Sequence, residues 1–244
     1  MSKHELIEHL MHLGYLKSPA IVQAFKKIDR KEFVLLEYER EAYENYPLPI
    51  GFHQTISQPL TVAFMLELLR PEIGDRILEV GAGSGWQTAL LAEIISETSP
   101  TLVAATLRAL GSVVKTGLGK PSLPVHTKKG KVFAIERIPE LKEMAEENVA
   151  KYGFIKKGVV EVILGDGAKG YPAAAPFDKI ITAAAAEAIP VAWKKQLKVG
   201  GRLVAPVKNS IMVLEKLSAT DYNIKEHTGF SFVPLMTDGG SGGE

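Results

Sequence analysis

Three closely spaced glycines after an apolar run are the residues of this chain best suited to hold a ligand. Gly81, Gly83 and Gly85 follow the run Ile-Leu-Glu-Val at 77–80 and precede a helical pattern that starts at Trp86. A buried strand, a glycine turn and a helix N-terminus are the parts of a nucleotide-binding βα unit. Glycine lets the backbone approach a ligand closely because no Cβ is in the way, and the helix presents unpaired N–H groups there.

The spacing of these glycines distinguishes between ligands. Dinucleotide-binding loops have the spacing G-x-G-x-x-G, whereas residues 81–85 of this chain have G-x-G-x-G, with Glu79 near the end of the strand. That combination resembles the first motif of S-adenosylmethionine-dependent methyltransferases. Three interpretations of the loop stay open on this motif alone: a methyltransferase, a nicotinamide enzyme, and a glycine turn without a ligand.

Composition and charge narrow the class of protein. The 244 residues predict one domain with an N-terminal elaboration, and a net charge of +1 gives no electrostatic case for nucleic acid or membrane partners. The absence of cysteine excludes disulfides, thiolate metal sites and thiol catalysis. His4, His9 and His12 are interpreted as solvated helix residues, so no metal is expected. We expect a cytoplasmic protein, because no secretory signal or membrane-spanning run is present in the sequence.

The order of predicted elements gives the fold class. From residue 76 onward strands and helices alternate, which predicts an α/β fold with a doubly wound, mostly parallel, Rossmann-like sheet of the seven-stranded type. The carboxyl ends of the strands, where ligands bind in such sheets, are reached by Gly81, Glu136, Asp166 and Ala183. The predicted strands are 76–80, 131–135, 159–164, 177–182, 202–207, 211–217 and 230–235. The predicted organisation is N-terminal helices and an active-site lip at 1–70, a cofactor-binding core at 71–236 and a flexible tail at 237–244.

An insert interrupts the expected βα unit. The acidic residue that follows the second strand, Glu136, comes 51 positions after Gly85 instead of roughly 20. The extra residues, 98–130, contain only basic charges. A helical excursion packed on the domain or in a dimer contact is the favoured interpretation, and a basic element that recruits an acidic substrate or partner is the alternative. The oligomeric state is left open.

Several separated stretches together resemble the protein-L-isoaspartate O-methyltransferase family. They cover nearly the whole chain in order, except the insert and the tail. Trp86 stands where a tyrosine is frequent in that family, and the alanine-rich segment 182–187 has no early proline. The stretches that carry the resemblance are Gln-Thr-Ile-Ser-Gln-Pro at 54–59, Val-Gly-Ala-Gly-Ser-Gly-Trp-Gln-Thr at 80–88, residues 132–137, Gly-Asp-Gly at 165–167, residues 175–178, residues 197–207 and Phe-Val-Pro-Leu at 232–235.

The resemblance implies roles for individual residues. Glu136 takes the ribose hydroxyls of S-adenosyl-L-methionine, and Asp166 with Gly167 flanks the adenine. Residues 55–58 form a lip in which Ser57 resembles the active-site hydroxyl, and Thr55, Ser57 and Val233 are implied to contact the substrate. The implied cofactor-binding set is Thr55, Ile56, Gln58, Glu79, Gly81, Ala82, Gly83, Ser84, Gly85, Gln87, Thr88, Glu136, Arg137, Asp166 and Gly167.

The activity implied by the resemblance needs few catalytic groups. The acceptor is the free carboxylate of an isoaspartyl residue in a damaged protein or peptide, and carboxyl groups with a pKa near 4 are already ionised at neutral pH. Catalysis then consists of alignment, to which the Ser57 hydroxyl could contribute one hydrogen bond. From the residues alone, Ser57 is interpreted as the cap of a helix that starts at Pro59. The alternatives are a methyltransferase of another carboxylate or small molecule, and a non-catalytic cofactor-binding scaffold.

Overall fold

The computed structural model describes residues 1–96 and 129–236. The expectations for the insert, up to residue 128, and for the tail at 237–244 lie outside the described residues. The described helices are α1 Lys3–His12, α2 Pro19–Lys27, α3 Pro59–Leu69, α4 Trp86–Ile95, α5 Pro139–Ala150 and α6 Val191–Gln196, with short 3₁₀ turns between them. The described strands are β1 Leu48–Gly51, β2 Gln54–Ile56, β3 Arg76–Val80, β4 Lys131–Glu136, β5 Val160–Leu164, β6 Phe177–Thr182, β7 Leu197–Val207, β8 Ser210–Lys216 and β9 Tyr222–Thr228.

Seven of these strands form one sheet in the order β5-β4-β3-β6-β7-β8-β9. The first five are parallel, and β8 and β9 add an antiparallel edge. The predicted fold class is therefore confirmed. The chain leaves β3 toward β4 and later returns to β6 on the other side of β3. The carboxyl ends of β3 and β6 consequently border the crevice in which sheets of this type bind ligands.

Both faces of the central parallel strands β3 and β4 are buried, as expected for near-continuous apolar runs. Alternate residues of β3 point to opposite faces: Ile77 belongs to one core cluster and Leu78 to the other. The Ile77 cluster contains side chains from α1 to α5, so residues 1–70 share a core with the sheet. The N-terminal helices thereby fix the position of the β1–β2 hairpin against the crevice.

The amino ends of the first two helices are held by specific contacts. Ser2 and Glu5 form a reciprocal capping box at the start of α1. Helix α2 starts at Pro19, as the sequence predicts, and the Glu67 carboxylate on α3 accepts from the backbone N–H groups of Lys17 and Ser18 at 2.7 Å each. This carboxylate joins the N-terminal helices to the helix that follows the lip.

Two parts of the predicted strand pattern differ from the structure. The predicted strand at 230–235 is wrong: the segment has only an isolated bridge between Pro234 and Ala185, because proline lacks the N–H that a ladder needs. The last strand is β9, at 222–228, a mostly exposed edge strand. Within the described residues, no helix combines the length and the apolar character needed to cross a membrane.

Candidate active site

The glycine loop is built on left-handed backbone and anchored to the neighbouring strand. Gly81, Gly83 and Gly85 have φ of 83°, 55° and 86°, a region that L side chains rarely adopt. The Gly81 N–H donates to the Ile135 carbonyl on β4 at 2.8 Å. A Cβ at Gly85 would lie 2.9 Å from the Ala145 carbonyl on α5, whereas a Cβ at Gly81 would meet nothing within 4 Å. Gly85 therefore permits helix packing, and Gly81 leaves space toward the crevice.

Glu136 fastens the end of β4 to the same loop. One carboxylate oxygen, Oε2, accepts from the Gly83 N–H at 3.0 Å, and Oε1 accepts from the N–H groups of Arg137 and Ile138 at 2.8 and 3.1 Å. A carboxylate has about four acceptor positions in its two oxygens, and the described residues occupy three of them, which leaves one position on Oε2. That position suits a single ligand hydroxyl group, which fits the ribose role that the family resemblance implies for Glu136.

Glu79 lies underneath the loop and is fully buried. Its Oε1 accepts from Gln87 Nε2 at 3.1 Å, while its Oε2 has no hydrogen-bond partner within the part of the chain that the structure describes. Desolvation raises the pKa of Glu79 to about 7, the Thr88 and Gln87 side chains oppose that shift, and the nearby Glu136 charge adds to it. The carboxyl therefore changes protonation near neutral pH, behind the residues that face the crevice.

Ser57 stands on the lip, between the β1–β2 hairpin and α3. The N-cap of α3 is Gln58, and its side chain makes no capping hydrogen bond. The N–H group of Leu60 instead donates to the Asn45 side-chain oxygen at 3.0 Å. The interpretation of Ser57 as a helix cap is therefore wrong. Among the described residues none hydrogen-bonds to the Ser57 hydroxyl, which leaves both its donor and its acceptor positions for a ligand.

Arg30 hydrogen-bonds to backbone carbonyls next to and within the lip. It was not identified as a site residue from the sequence. Its Nη1 donates to the Ala42 carbonyl at 2.7 Å, and its Nη2 donates to the carbonyls of Tyr46 and Ser57 at 3.1 and 3.2 Å. The guanidinium also lies over the Trp86 ring, 5.3 Å from the ring centre. Burial lowers the pKa of Arg30 to about 10, so the group stays charged at neutral pH. Arg30 thus joins the lip to the first residue of α4.

Three cavities meet at the carboxyl ends of the strands. The central cavity, about 50 Å³, lies between the lip and the glycine loop. The β4-side cavity, about 570 Å³, adjoins it at Gly81 and extends over Glu136 toward Gly165 and Gly167. The lip cavity, about 360 Å³, shares Thr55, Ser57 and Ala183 with the central cavity. The three therefore form one continuous depression with Ser57 at its inner junction.

The chemistry of each cavity suits a different part of a methyl-transfer reaction. The β4-side cavity is mainly apolar, with Glu136, Arg137, His53 and Gln54 as its polar lining residues, which suits a flat heterocycle with a sugar. The central cavity is lined by loop backbone and by the Gln87 side chain, which suits the amino-acid end of a cofactor. The lip cavity exposes hydroxyl groups of Thr55, Ser57 and Thr61 beside Val233. A methyl donor in the first two cavities would present its reactive end to the third.

The structure brings most of the predicted residues to this depression, and a few lie elsewhere. Gln58 belongs to the depression through the lip cavity and not the central one, and its amide donates to the Asn45 carbonyl at 2.9 Å, whereas Thr88 and Asp166 line none of the three cavities. Thr88 is fully buried next to Glu79. The Asp166 carboxylate accepts from the Ala168 N–H at 3.0 Å and lies 3.4 Å from Lys169. Placed on the cavities are Thr55, Ile56, Ser57, Gly81, Ala82, Gly83, Ser84, Gln87, Glu136, Arg137, Gly167 and Val233.

One further element of the site, the loop of the β1–β2 hairpin, was missed in the sequence, and the segment after Val233 reaches a second cavity. Phe52 and His53 form the two-residue loop of the β1–β2 hairpin and line the β4-side cavity. Both have positive φ, 54° and 55°, which is unfavourable for residues other than glycine. Across the cavity from this loop lies the segment 234–236, anchored by the bond from the Leu235 N–H to the Ala185 carbonyl at 2.7 Å. The sequence signal for this hairpin is weak because its loop has no Asn-Gly or Gly pair.

Solved structures resemble the whole described fold. A structure titled protein-L-isoaspartate O-methyltransferase matches with a TM-score of 0.76 at 24% identity, covering 97% of this chain and 67% of that one. A structure from Plasmodium falciparum, titled a putative protein-L-isoaspartate O-methyltransferase in complex with S-adenosyl-L-homocysteine, matches with a TM-score of 0.75 at 20% identity. It covers 95% of this chain and 97% of that one. At these identities the likeness supports the fold.

Curated relatives and a family model identify the family to which this chain belongs. The protein-L-isoaspartate O-methyltransferase of Ignicoccus hospitalis is 41% identical over 240 residues, covering 97% of this chain and 98% of the relative. That of Staphylothermus marinus is 38% identical over 242 residues, covering 98% of this chain and 95% of the relative. The model of the family described as "Protein-L-isoaspartate(D-aspartate) O-methyltransferase (PCMT)" matches residues 1–113 and 123–240. The chain belongs to the protein-L-isoaspartate (D-aspartate) O-methyltransferase family.

Proposed function

We infer that this chain transfers a methyl group from S-adenosyl-L-methionine to the free carboxylate of L-isoaspartyl residues in damaged proteins and peptides, which initiates their repair. Family membership carries this inference. The observation in the structure that supports it best is the hydroxyl of Ser57 at the junction of the central and lip cavities. That junction is where a methyl group and an acceptor oxygen have to meet.

The residues present fit the cofactor. We propose that the β4-side cavity takes the adenosine, with the ribose on the open acceptor position of Glu136. The adenine end would lie near Gly165 and Gly167, and the amino-acid end would lie along the glycine loop and Gln87. When bound, the cofactor supplies an electrophilic methyl group on a sulfonium.

The reaction balances without a protein acid or base. A lone pair on the acceptor carboxylate forms the new O–C bond while the C–S bond breaks, and the sulfonium becomes a neutral thioether. The acceptor carboxylate is already ionised, since carboxyl groups have pKa values near 4, so no proton has to move. Ser57 is proposed to hold one carboxylate oxygen by a single hydrogen bond so that the other lies within the near-attack distance of about 3–3.5 Å.

The lip is suited to this alignment because it offers few strong donors. The charge on the carboxylate decreases in the transition state, so a cation beside the acceptor would stabilise the ground state more than the transition state. The guanidinium of Arg30, which contacts the lip, donates to backbone carbonyls, including that of Ser57, and Arg30 does not line the lip cavity. The side chains that line the lip cavity are neutral.

The identity and site of the modification test the proposed function. A peptide containing one isoaspartate is incubated with the protein and labelled S-adenosylmethionine, and the product is fragmented in a mass spectrometer. The expected result is one added methyl group on the isoaspartyl residue that is lost in mild base, as an ester is. A base-stable methyl group, or a methyl group on another residue, would assign the chain to another acceptor. Binding of the cofactor without any transfer would favour a non-catalytic role.

A further inference from the structure

A second depression, here called the rear groove, continues from the lip cavity along the end of β9. Its volume is about 790 Å³, larger than that of any of the three cavities described above. The two spaces share four lining residues: Pro47, Gln58, Thr61 and Ser231. The lip cavity therefore lies between the central cavity on one side and the rear groove on the other.

The wall of the rear groove is aromatic and centred on Phe64 of α3. The Phe64 ring stacks on Phe230, with ring centres 5.3 Å apart and an angle of 12° between the planes. Tyr15 and His227 approach Phe64 edge-on at 5.4 and 5.3 Å. Four rings from three separate segments thus line one groove, and offset or edge-on ring contacts each favour a further aromatic partner.

The groove also offers polar groups for a polypeptide. His227 lines the groove with its ring, whereas its Nε2 atom is buried and has no hydrogen-bond partner within residues 1–96 and 129–236, so His227 contributes ring surface and not an accessible polar atom. The Glu226 carboxylate accepts from the Ser210 hydroxyl at 2.6 Å and stays exposed at the rim. Aromatic surface next to sparse hydrogen-bonding groups is typical of sites that bind an extended peptide with one anchoring side chain.

We propose that the rear groove binds the polypeptide on one side of the isoaspartyl residue, with an aromatic side chain against Phe64 and Phe230. This inference rests on the proposed function and specifies which acceptors the site prefers. A polypeptide whose carboxylate lies at Ser57 has to leave the lip cavity, and on the side of the glycine loop and Ala183 the central cavity is proposed to hold the cofactor. Gln58 and Ser231 line both the lip cavity and the rear groove, so an extended polypeptide can pass from one to the other. Each extended residue spans about 3.3 Å along this path.

Peptides with a moved aromatic residue test this proposal. A set of isoaspartyl peptides, otherwise made of small residues, carries a single phenylalanine at each of the four positions on either side of the isoaspartate. For each peptide the readout is its kcat/KM divided by that of the all-small peptide. We expect this ratio to rise about three- to tenfold, the scale of one aromatic contact, at one or two neighbouring positions on one side only.

Variants of the groove decide whether Phe230 causes the preference. The ratio is expected to fall to about 1 in Phe230→Ala, to recover in part in Phe230→Leu, and to keep its wild-type value in Ile73→Ala. Ile73 is a matched control because it is an exposed apolar residue, 58% accessible. It lies just before the amino end of the central strand β3, whereas the rear groove lies at the carboxyl end of β9. Because the ratio is taken within each variant, partial loss of folded protein cancels.

The outcomes separate the two inferences. A ratio near 1 at every position in the wild-type protein, or a positional preference that persists in Phe230→Ala, would overturn the rear-groove proposal while the proposed function stands. Absence of methyl transfer to every isoaspartyl peptide, with cofactor binding intact, would instead overturn the proposed function.

Discussion

Replacing Glu79 by glutamine is expected to remove a large pH-dependent part of the folding stability. Burial raises the pKa of this carboxyl from its ordinary value of 4.5 to about 7. At 1.36 kcal/mol for each unit of difference, that interval corresponds to about 3 kcal/mol. The side chain is fully buried, so solvent screening does not reduce the figure. Glutamine keeps an oxygen for the bond from Gln87 and has no charge to bury.

The direction of the effect depends on which state, folded or unfolded, binds the Glu79 proton more tightly. The folded protein holds the Glu79 proton up to about pH 7, whereas the unfolded chain loses it near pH 4.5. The contribution to the free energy of unfolding is therefore fully present below about pH 4.5 and is lost as the pH rises through 7. Between pH 5 and pH 8 we expect the free energy of unfolding of the wild-type protein to fall by about 2–3 kcal/mol relative to Glu79→Gln.

Urea unfolding at pH 5, 6, 7 and 8 measures this difference, with Glu8→Gln as the control. Glu8 is an exposed glutamate on α1, so its replacement makes the same chemical change without removing a buried group. The control should follow the wild-type curve. Parallel curves for wild type and Glu79→Gln over this range would refute the assignment of a raised pKa to Glu79.

The remaining predictions concern the lip and the cofactor. Ser57→Ala should lower kcat by about 10- to 100-fold, the scale of one hydrogen bond to a charged group, while calorimetry shows unchanged affinity for S-adenosylhomocysteine; an equal loss of affinity would mean a structural role. Glu136→Gln should weaken cofactor binding by about 1–3 kcal/mol in the same titration, since the NH2 group that replaces one carboxylate oxygen cannot accept from a backbone N–H or from a ligand hydroxyl. Arg30→Met should lower kcat/KM for an isoaspartyl peptide by about tenfold or more, because the Ser57 carbonyl loses its charged donor; steady-state kinetics that match the wild type would contradict this role.

The parallel core was predictable because its signals are local. Strands β3 and β6 have the predicted bounds of 76–80 and 177–182, since short apolar runs bounded by turn residues specify buried strands. The edge of the sheet was not predictable in the same way. Strand β9 is mostly exposed and polar and is held by its ladder with β8. The apolar segment 230–235, which was predicted as a strand, uses its aromatic rings for contacts such as the Phe230–Phe64 stack instead.

The same difference between local sequence signals and contacts between distant residues applies to the site. Gly81, Gly83 and Gly85 were recognised from spacing, because only glycine satisfies a tight left-handed turn there. Arg30 and the Phe52–His53 loop could not be recognised, because their roles depend on contacts with residues distant in sequence or on an unusual hairpin turn. The Arg30 side chain, for example, reaches the carbonyl of Ser57, 27 positions away. Family resemblance suggested the role that we propose for Ser57, whereas local helix-capping rules assigned it incorrectly as a cap.

The most direct test of the central claim is a comparison of two peptides that differ in one linkage. Rates of methyl transfer from labelled S-adenosylmethionine are measured with a peptide containing isoaspartate and with its aspartate counterpart, and cofactor binding is measured on the same sample. We predict a base-labile label on the isoaspartyl peptide and none above background on the aspartyl peptide. Equal labelling of both peptides, or no labelling of either while the cofactor binds, would contradict the claim that this depression recognises the isoaspartyl carboxylate.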